Sequence, residues 1–221
     1  KFNLSLADAR LSPDGRSLVF VASDDGPSRL WLRSLDQTEA RPLAGTEGAT
    51  QPFWSPDGAW IGFFAEGQLR KIPREGGTAQ KICDAVESRG GSWSPDGVIV
   101  FSQKQGVDGL SRVSAQGGTP APLTRPASKE VEEYHRYPQF LPDGRSFLFQ
   151  ILTASSERAG VYVGNLDGAE PLQVLDGTLD LPRTRKAPIA ILIMTAVVSL
   201  AALGVLPISI ASLLGVLALI L

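Results

Sequence analysis

The chain has very few of the residues from which metal centres and disulfides are built. Cys83 is the single cysteine and His135 the single histidine among 221 residues. One cysteine cannot form an internal disulfide, and one histidine with a distant cysteine cannot assemble a His/Cys zinc cluster. Cys83 follows Ile82 in an apolar context, which indicates a small buried hydrophobic residue.

Motifs for phosphoryl and acyl transfer are missing as well. The sequence has no Gly-rich phosphate loop, no Val-Ala-Ile-Lys, no His-Arg-Asp, no Asp-Phe-Gly, and no nucleophile elbow to complete a triad with His135. Asp24–Gly26 lacks the alternating oxygen ligands and the distal glutamate of a calcium loop. We therefore predict no catalytic, cofactor-binding or metal-binding residues, and we expect that the chain is not an enzyme.

A basic surface for nucleic acids is also missing. The net charge is −2, and the first 180 residues hold 18 basic and 23 acidic side chains. A mildly acidic domain lacks the clustered positive face that binds a phosphate backbone, so no nucleic-acid partner is expected. The tryptophans have no basic groove beside them and are predicted to lie in the core: Trp31, Trp54, Trp60 and Trp93.

The main feature that is present is a turn motif that occurs four times. Its copies are Ser12–Gly15, Ser55–Gly58, Ser94–Gly97 and Leu141–Gly144, with prolines 43, 39 and 47 residues apart. Proline sets φ at the first corner, aspartate can bond its own backbone, and glycine takes the positive φ. We therefore assign the turn aspartates to turn closure rather than to acid catalysis or calcium binding: Asp14, Asp57, Asp96 and Asp143.

Each repeat is predicted to have four short strands, one before the turn and three after it. In the first repeat Leu18–Ala22 is apolar, Arg29–Arg33 alternates polar and apolar residues, and Ala40–Leu43 would be a short last strand. A period near 40 residues with Gly-rich turns is typical of propeller blades. We predict an all-β fold over residues 1–180, a partial β-propeller of four four-stranded blades. The blades lie near residues 5–48, 49–88, 89–133 and 134–180.

These repeats resemble a known family, the WD40-like repeats also called PD40 that occur in TolB proteins. The shared pattern is aromatic-Ser-Pro-Asp-Gly, an apolar strand, a second strand, and Gly-Gly before the last strand. Gly45–Gly58 and His135–Gly144 are also similar to the sensor-side propeller of bacterial membrane serine/threonine kinases. The resemblance implies a scaffold whose loops, clustered at one mouth, bind a protein or a small-molecule ligand.

Four repeats are fewer than the six or more blades that are usual in this family. An array without a closing strand leaves sheet edges exposed. We expect a partial array that is completed by further sequence or by another copy, and we therefore predict self-association through the open blade edges. Lys1 is not an initiator methionine, which fits a processed start or a piece of a longer protein.

The end of the chain has a different composition, because Ala187–Leu221 carries no charge. Ala187–Leu206 is 20 residues long, enough at about 1.5 Å per residue to cross a hydrocarbon core of about 30 Å. Pro207 interrupts this run, and Ile208–Leu221 adds a shorter apolar stretch. We predict a C-terminal transmembrane helix or helix pair, broken at Pro207, in the lipid bilayer. It loosely resembles a membrane segment of sodium-coupled anion symporters.

Two arguments about the side of the membrane disagree. The basic linker 181–186 contains Arg183, Arg185 and Lys186 and favours a cytoplasmic propeller. The PD40 resemblance favours the periplasmic face of a bacterial inner membrane. Since local charge is a physical cause, we expect the cytoplasmic side.

Three local patterns have structural rather than functional interpretations. His135–Arg136 is expected to pack at the entry of a blade, and Lys129–Glu133 is expected to be a solvated loop. Asn3–Ser5 matches a glycosylation triplet, a short pattern that often matches by chance.

Together these features predict a membrane-anchored, non-enzymatic propeller that acts as a sensor or interaction module. Two alternatives stay open: the remainder of a receptor serine/threonine kinase without its kinase domain, or the soluble appendage of a transporter-like membrane protein. An artificial junction near Leu181 between unrelated pieces is a further interpretation.

Overall fold

The fold was obtained as a computed structural model, which describes residues 3–23, 26–103, 109–127, 132–155 and 157–176. The chain divides after Leu179, and all of these residues lie in the first unit. The strands are β1 (Asn3–Leu11), β2 (Ser17–Ser23), β3 (Arg29–Ser34), β4 (Ala40–Pro42), β5 (Thr50–Trp54), β6 (Trp60–Ala65), β7 (Gln68–Pro73), β8 (Gln80–Asp84), β9 (Gly91–Trp93), β10 (Val98–Ser102), β11 (Leu110–Ser114), β12 (Ala121–Pro122), β13 (Glu133–Phe140), β14 (Ser146–Thr153), β15 (Gly160–Asn165) and β16 (Leu172–Asp176).

The strands form four antiparallel sheets of four strands, each in sequence order: blade 1 (β1–β4), blade 2 (β5–β8), blade 3 (β9–β12) and blade 4 (β13–β16). Each blade is a meander of antiparallel strands, and the repeated turn closes its first hairpin. The predicted all-β fold with four four-stranded sheets is confirmed. The predicted membrane segment Ala187–Leu221 lies outside the described residues, and the described residues contain no helix long and apolar enough to cross a membrane.

The repeated turn joins the first and second strands of every blade. The glycine N–H donates to the carbonyl three residues earlier, at 2.9 Å for Gly15 and Gly58 and 3.0 Å for Gly97 and Gly144. These four glycines have φ between 67° and 77°, which is the left-handed region where a Cβ is costly. The sequence therefore identified the turn chemistry correctly.

The turn serine also accepts a backbone N–H from the second strand, and in the fourth copy another residue takes this role. Ser12 Oγ accepts the N–H of Ser17 at 2.8 Å, and the serines of the next two turns do the same for Trp60 and Val98. In the fourth turn Leu141 has no hydroxyl. There Asp143 Oδ1 accepts both the Arg145 and the Ser146 N–H, at 3.0 and 2.8 Å. The aspartate thus replaces the missing serine.

The blades pack face to face in series. One apolar cluster joins blades 1 and 2, a second joins blades 2 and 3, and a third joins blades 3 and 4. The first strands of successive blades also contact each other: β1 contacts β5, β5 contacts β9, and β9 contacts β13. A β-propeller has this arrangement of blades in series, and four blades are present here.

The aromatic residue before each turn packs onto the preceding blade. Trp54 and Phe140 are buried, and the Trp54 indole N–H donates to the Arg10 carbonyl of blade 1 at 3.1 Å. Leu11 occupies this position in blade 1 and is 48% exposed. The open side of blade 1 explains this exposure, since no earlier blade lies in the described part of the chain.

A basic side chain crosses each of the three seams between blades. The acceptor is always the carbonyl directly after the third strand of the next blade. Arg41 donates to Arg74 O at 2.9 Å, Lys71 to Ala115 O at 2.8 Å, and Arg112 to Leu166 O at 2.7 Å. We call these the seam contacts. They set how each blade is aligned on its neighbour.

The expectation about the tryptophans is confirmed in part, and one about Glu133 is wrong. Trp31 and Trp54 are buried, whereas Trp60 and Trp93 are half-buried, and Trp93 packs against the apolar cluster that joins blades 2 and 3. Glu133, expected in a solvated loop, begins β13 and is 3% exposed. The cation that allows a carboxylate to be buried there, Arg158, lies 25 residues further along the chain.

Candidate functional site

A surface pocket of about 240 Å³ lies where the ends of blades 3 and 4 meet the connection from blade 2. Each lining residue has a polar or charged side chain. The lining is formed by the β8–β9 connection, the end of β10 and the start of β13: Glu87, Arg89, Ser102, Gln103, Tyr134, His135 and Arg136. Most ligand sites combine a largely apolar lining with a few convergent polar groups, so a lining this rich in polar groups suits a small polar ligand.

Backbone hydrogen bonds hold the pocket walls together. The Arg89 N–H donates to Ser102 Oγ at 2.8 Å, and the Ser102 N–H donates to Gly90 O at 3.2 Å. From blade 4, the Tyr137 N–H donates to Arg89 O at 2.9 Å. The three parts of the wall are therefore fixed to one another before any ligand binds, which lowers the entropy cost of binding.

The β13 wall contains a strained residue. Tyr137 has φ of 54° although it is not glycine and precedes Pro138. The pairing of β13 with β14 shifts between Arg136 and Gln139, so Tyr137 lies in a β-bulge directly after a pocket residue. Bulges redirect neighbouring side chains, and such strain is concentrated at functional sites.

The same bulge recurs in blade 2, where Gln51 precedes Pro52 with φ of 51°. Gly90 is the equivalent residue of blade 3, with φ of 96°. A Cβ on Gly90 would lie 3.2 Å from the Tyr137 Cα, so glycine allows blades 3 and 4 to approach closely beside the pocket.

Gln103 lines the pocket beside Ser102. Its amide N–H donates to Ser111 Oγ at 3.2 Å. Its Oε1 is buried and has no hydrogen-bond partner among the described residues.

The two pocket arginines keep donors available. Arg89 Nη1 contacts Ser88 O at 3.2 Å, and the Arg136 guanidinium lies over the Tyr134 ring at 4.9 Å. An arginine that stacks on an aromatic ring still presents its N–H edge outward. Among the described lining residues there are two arginines and one carboxylate, Glu87.

A buried polar network forms the floor. His135 Nε2 lies 3.0 Å from Glu133 Oε1, and Nδ1 lies 2.7 Å from Thr124 Oγ1. Arg158 Nε donates to Glu133 Oε2 at 2.9 Å, and the Leu110 N–H donates to Thr124 Oγ1 at 2.8 Å. A neutral imidazole that donates from Nε2 and accepts at Nδ1 satisfies every member.

This hydroxyl–imidazole–carboxylate order resembles a catalytic triad, but its three side chains are buried. The side chains of His135 and Glu133 are 1% and 3% exposed, and Thr124 is buried as well, so a substrate carbonyl cannot reach the hydroxyl. Burial raises the pKa of Glu133, yet the hydrogen bonds from Arg158 and His135 outweigh it and leave the pKa below its ordinary value. The network therefore carries a fixed negative charge paired with Arg158.

The other residues singled out in the sequence lie away from the pocket. Asp14 and Asp57 each accept a backbone N–H two residues ahead, at 2.9 and 3.0 Å, which is the turn role expected of them. Cys83 is buried, and burial raises its pKa to about 11. Asp24 and Asp25 lie outside the described residues. Within the described part of the chain, no group of three or more His, Cys, Asp or Glu side chains could hold a metal ion.

Sequence reasoning missed most of the pocket, because its residues come from separate blades. Of the lining, only His135 and Arg136 were noted, as residues at a blade entry. The Tyr137–Pro138 step was a usable signal, since its counterpart Gln51–Pro52 occupies the same place in blade 2.

Comparisons with known proteins agree with the fold. No protein-family profile matches the chain. A curated relative, the "Uncharacterized peptidase YuxL" of Bacillus subtilis, is 32% identical over 152 residues, which are 64% of this chain and 21% of that protein. The chain thus spans about a fifth of the length of this relative.

Solved structures with the same fold include two TolB proteins. The putative TolB of Agrobacterium tumefaciens has a TM-score of 0.62 at 21% identity, over 80% of this chain and 62% of that one. TolB of Acinetobacter baumannii has a TM-score of 0.65 at 15% identity, over 78% and 44%. XC5397 of Xanthomonas campestris, described as a gluconolactonase, has a TM-score of 0.54 at 17% identity, over 76% and 60%. The chain therefore has a TolB-like β-propeller fold.

Proposed function

We propose that this TolB-like propeller is a non-enzymatic binding module and that the pocket between blades 3 and 4 is its recognition site. The observation that carries the proposal is the convergence of Arg89, Ser102 and Arg136 from three separate elements in one concavity, directly before the strained Tyr137. Strained residues occur often at ligand sites.

Binding is favoured over catalysis because the one histidine is already committed. Both ring nitrogens of His135 are engaged, by Glu133 and by Thr124, beneath the pocket floor. A general base needs a free nitrogen within reach of the reacting proton. The other lining residues supply arginine, carboxylate, amide and hydroxyl groups, which suit recognition by hydrogen bonding.

Ligand-observed NMR with a library of small polar compounds tests the binding function. Compounds that bind the wild-type protein should lose binding in Gln103→Trp, because the indole fills the pocket. The matched control is Gln173→Trp, which places the same side chain at an exposed position on β16. Hits that bind both variants as they bind the wild type would contradict the proposal, provided that thermal unfolding shows both variants to be folded.

The membrane anchor remains part of the proposal and rests on the uncharged run Ala187–Leu221. An antiserum against residues 1–180 would detect the protein in membrane and soluble fractions of cells. We expect the signal in the membrane fraction and its loss after deletion of residues 187–221. A signal in the soluble fraction alone would contradict the anchor. The same blot gives the native size, on which the receptor-kinase and transporter interpretations also depend.

A second candidate function is that the chain forms the propeller part of a peptidase. The name of the Bacillus subtilis relative, a peptidase, favours it, and the matched region is 21% of that protein. Release of p-nitroaniline from a panel of peptide p-nitroanilides tests this candidate on the native product. Turnover by the native product but not by residues 1–180 would place the catalytic groups outside the propeller.

A further inference from the structure

We infer that the pocket holds a small oxyanion group, a phosphate or a carboxylate, between Arg89 and Arg136. The inference rests on the proposed binding function and names the charge and the chemistry of the ligand. Three observations carry it: the two arginines occupy equivalent positions in neighbouring blades, neither has a carboxylate partner among the described residues, and a serine hydroxyl lies beside them.

The two arginines occupy the same position of consecutive repeats. Arg89 lies six residues before the turn proline Pro95, and Arg136 lies six residues before the turn proline Pro142. The first strands of blades 3 and 4 contact each other, and the Tyr137 N–H donates to Arg89 O at 2.9 Å. Packing of the two blades therefore brings both arginines to one concavity, whose lining they share.

The equivalent positions of the first two blades hold no cation. They are Ala7 in blade 1 and Thr50 in blade 2, each six residues before its turn proline. Among the three seams of the described blades, only the seam between blades 3 and 4 has an arginine on both sides. Two cations that line one small concavity repel each other, and an anion between them attracts both.

Neither arginine forms an ion pair with a carboxylate of the described chain. Arg89 Nη1 donates to Ser88 O at 3.2 Å, and the Arg136 guanidinium lies over the Tyr134 ring at 4.9 Å. Arginines elsewhere in the described blades do form such pairs: Arg74 with Asp14, Arg145 with Asp167, and Arg158 with Glu133. A guanidinium without a carboxylate partner can form charge-assisted, bidentate hydrogen bonds with an oxyanion from outside the chain.

A serine hydroxyl adds a further donor. Ser102 lines the pocket and is 5% exposed. Its Oγ accepts the Arg89 N–H at 2.8 Å, so the hydroxyl proton remains to be donated to an anion. Glu87 is the one opposing charge in the described lining, which leaves an excess of positive charge. The volume of about 240 Å³ is below the range of about 300–1,000 Å³ that holds a drug-sized molecule, so it suits one small anion or one charged head group.

NMR titration of the full chain with defined probes tests the inference, because the Nε–H group of each arginine gives its own signal. The probes are inorganic phosphate, acetate and acetamide, which has the shape of acetate without its charge. Phosphate and acetate should each shift the Arg89 and Arg136 signals to saturation with one shared Kd. Acetamide should bind at least about tenfold more weakly than acetate. Sodium chloride at the same ionic strength should not reproduce the shifts.

Variants test whether both arginines hold the same anion. Arg89→Gln should weaken phosphate binding at least about tenfold when it is read at the Arg136 signal, and Arg136→Gln should do the same at the Arg89 signal. Arg145→Gln, the same change at an exposed site in blade 4, is the control and should have no effect. Arg136→Lys should keep part of the affinity, because it retains the charge but loses the planar fork. Thermal unfolding checks that each variant is folded.

The outcomes separate the inferred ligand from the proposed function. Independent titration of the two arginine signals, each unaffected by loss of the other arginine, would show an adventitious ion only and overturn the inference. Equal binding of acetate and acetamide would overturn it as well. Failure of both anions, when the compound library does give hits sensitive to Gln103→Trp, overturns the oxyanion but leaves the pocket as a binding site. Failure of the anions and of the library together overturns the proposed function too.

Glycerol 3-phosphate distinguishes the two sources of an oxyanion that does bind. Tighter binding of glycerol 3-phosphate than of inorganic phosphate identifies the charged head of a larger molecule. Equal binding of the two identifies a free ion as the ligand.

Discussion

The Lys71 ammonium of blade 2 donates to the Ala115 carbonyl of blade 3 at 2.8 Å, and it lies over the Trp60 ring at 4.8 Å. It is a buried cation that carries a contact between blades, with an aromatic face rather than a carboxylate beside it. Burial lowers the pKa of Lys71 from its ordinary value. The hydrogen bond across the seam and the ring offset part of that desolvation.

Lys71→Met should destabilise the protein by about 1–3 kcal/mol. The change keeps the length of the side chain but leaves the Ala115 carbonyl buried without its donor. Urea unfolding followed by tryptophan fluorescence measures the effect. Lys81→Met is the control in the same blade, since Lys81 forms an exposed ion pair with Asp84, and it should change stability by less than about 0.5 kcal/mol. Equal urea midpoints of unfolding for Lys71→Met and Lys81→Met would show that the Lys71 seam contact contributes nothing to stability.

Glu133→Gln should make the free energy of unfolding depend less on pH in the acid range. Because the pKa of Glu133 is lowered in the folded state, its ionised form stabilises the fold above the unfolded pKa of about 4.3. This contribution decreases as the pH falls through the lower folded pKa. The free energy of unfolding of the variant should therefore lie below that of the wild type by about 1–3 kcal/mol at pH 7 and approach it at acid pH.

Denaturant titrations at a series of pH values, with both proteins at each pH, give this comparison. Glu132→Gln changes the exposed neighbour and serves as the control. A difference between wild type and Glu133→Gln that is the same at every pH would contradict the assignment of a charged Glu133.

Ser12→Ala should raise the pKa of Asp14. The pKa is about 2, chiefly because the Ser12 hydroxyl donates to the carboxylate, with help from the Arg16 N–H and from Arg74. Without the hydroxyl, the pKa should move toward the ordinary value of about 3.9. Carbon-detected NMR titration of the Asp14 carboxyl measures it. Ser34→Ala removes the comparable hydrogen bond to Asp36 and should leave Asp14 unchanged.

Gly62→Ala should destabilise the seam between blades 2 and 3 by about 1–3 kcal/mol, through overpacking. An added Cβ would lie 2.4 Å from the Phe53 ring, and a Cβ on Gly91 of blade 3 would lie 2.7 Å from the same ring. The ring therefore fits between two glycines. In a Phe53→Leu background the cost of Gly62→Ala should fall, which a double-mutant cycle measures as a coupling energy. Strictly additive effects would rule out the steric cause.

The sequence predicted those features whose causes are local. Proline, aspartate and glycine act within a few residues, so the four turns and the strands after them could be placed before the structure was known. Glu133 was placed wrongly because its burial depends on Arg158 across the blade. The pocket was missed for the same reason, since Arg89, Ser102 and Arg136 meet only after three blades have packed.

The seam contacts give the array of blades a direction. Lys71 and Arg112 occupy equivalent positions on the third strands of blades 2 and 3, and Arg41 lies at the same register level in blade 1. In blade 4 the two corresponding positions are the cross-strand neighbours Val163 and Leu172, and Leu172 is 69% exposed. The two ends of the series are thus chemically unlike. A partner that packs against blade 4 would contact an aliphatic surface instead of a cation. A copy of an inner blade placed there could therefore not form the seam contact that joins the first four blades.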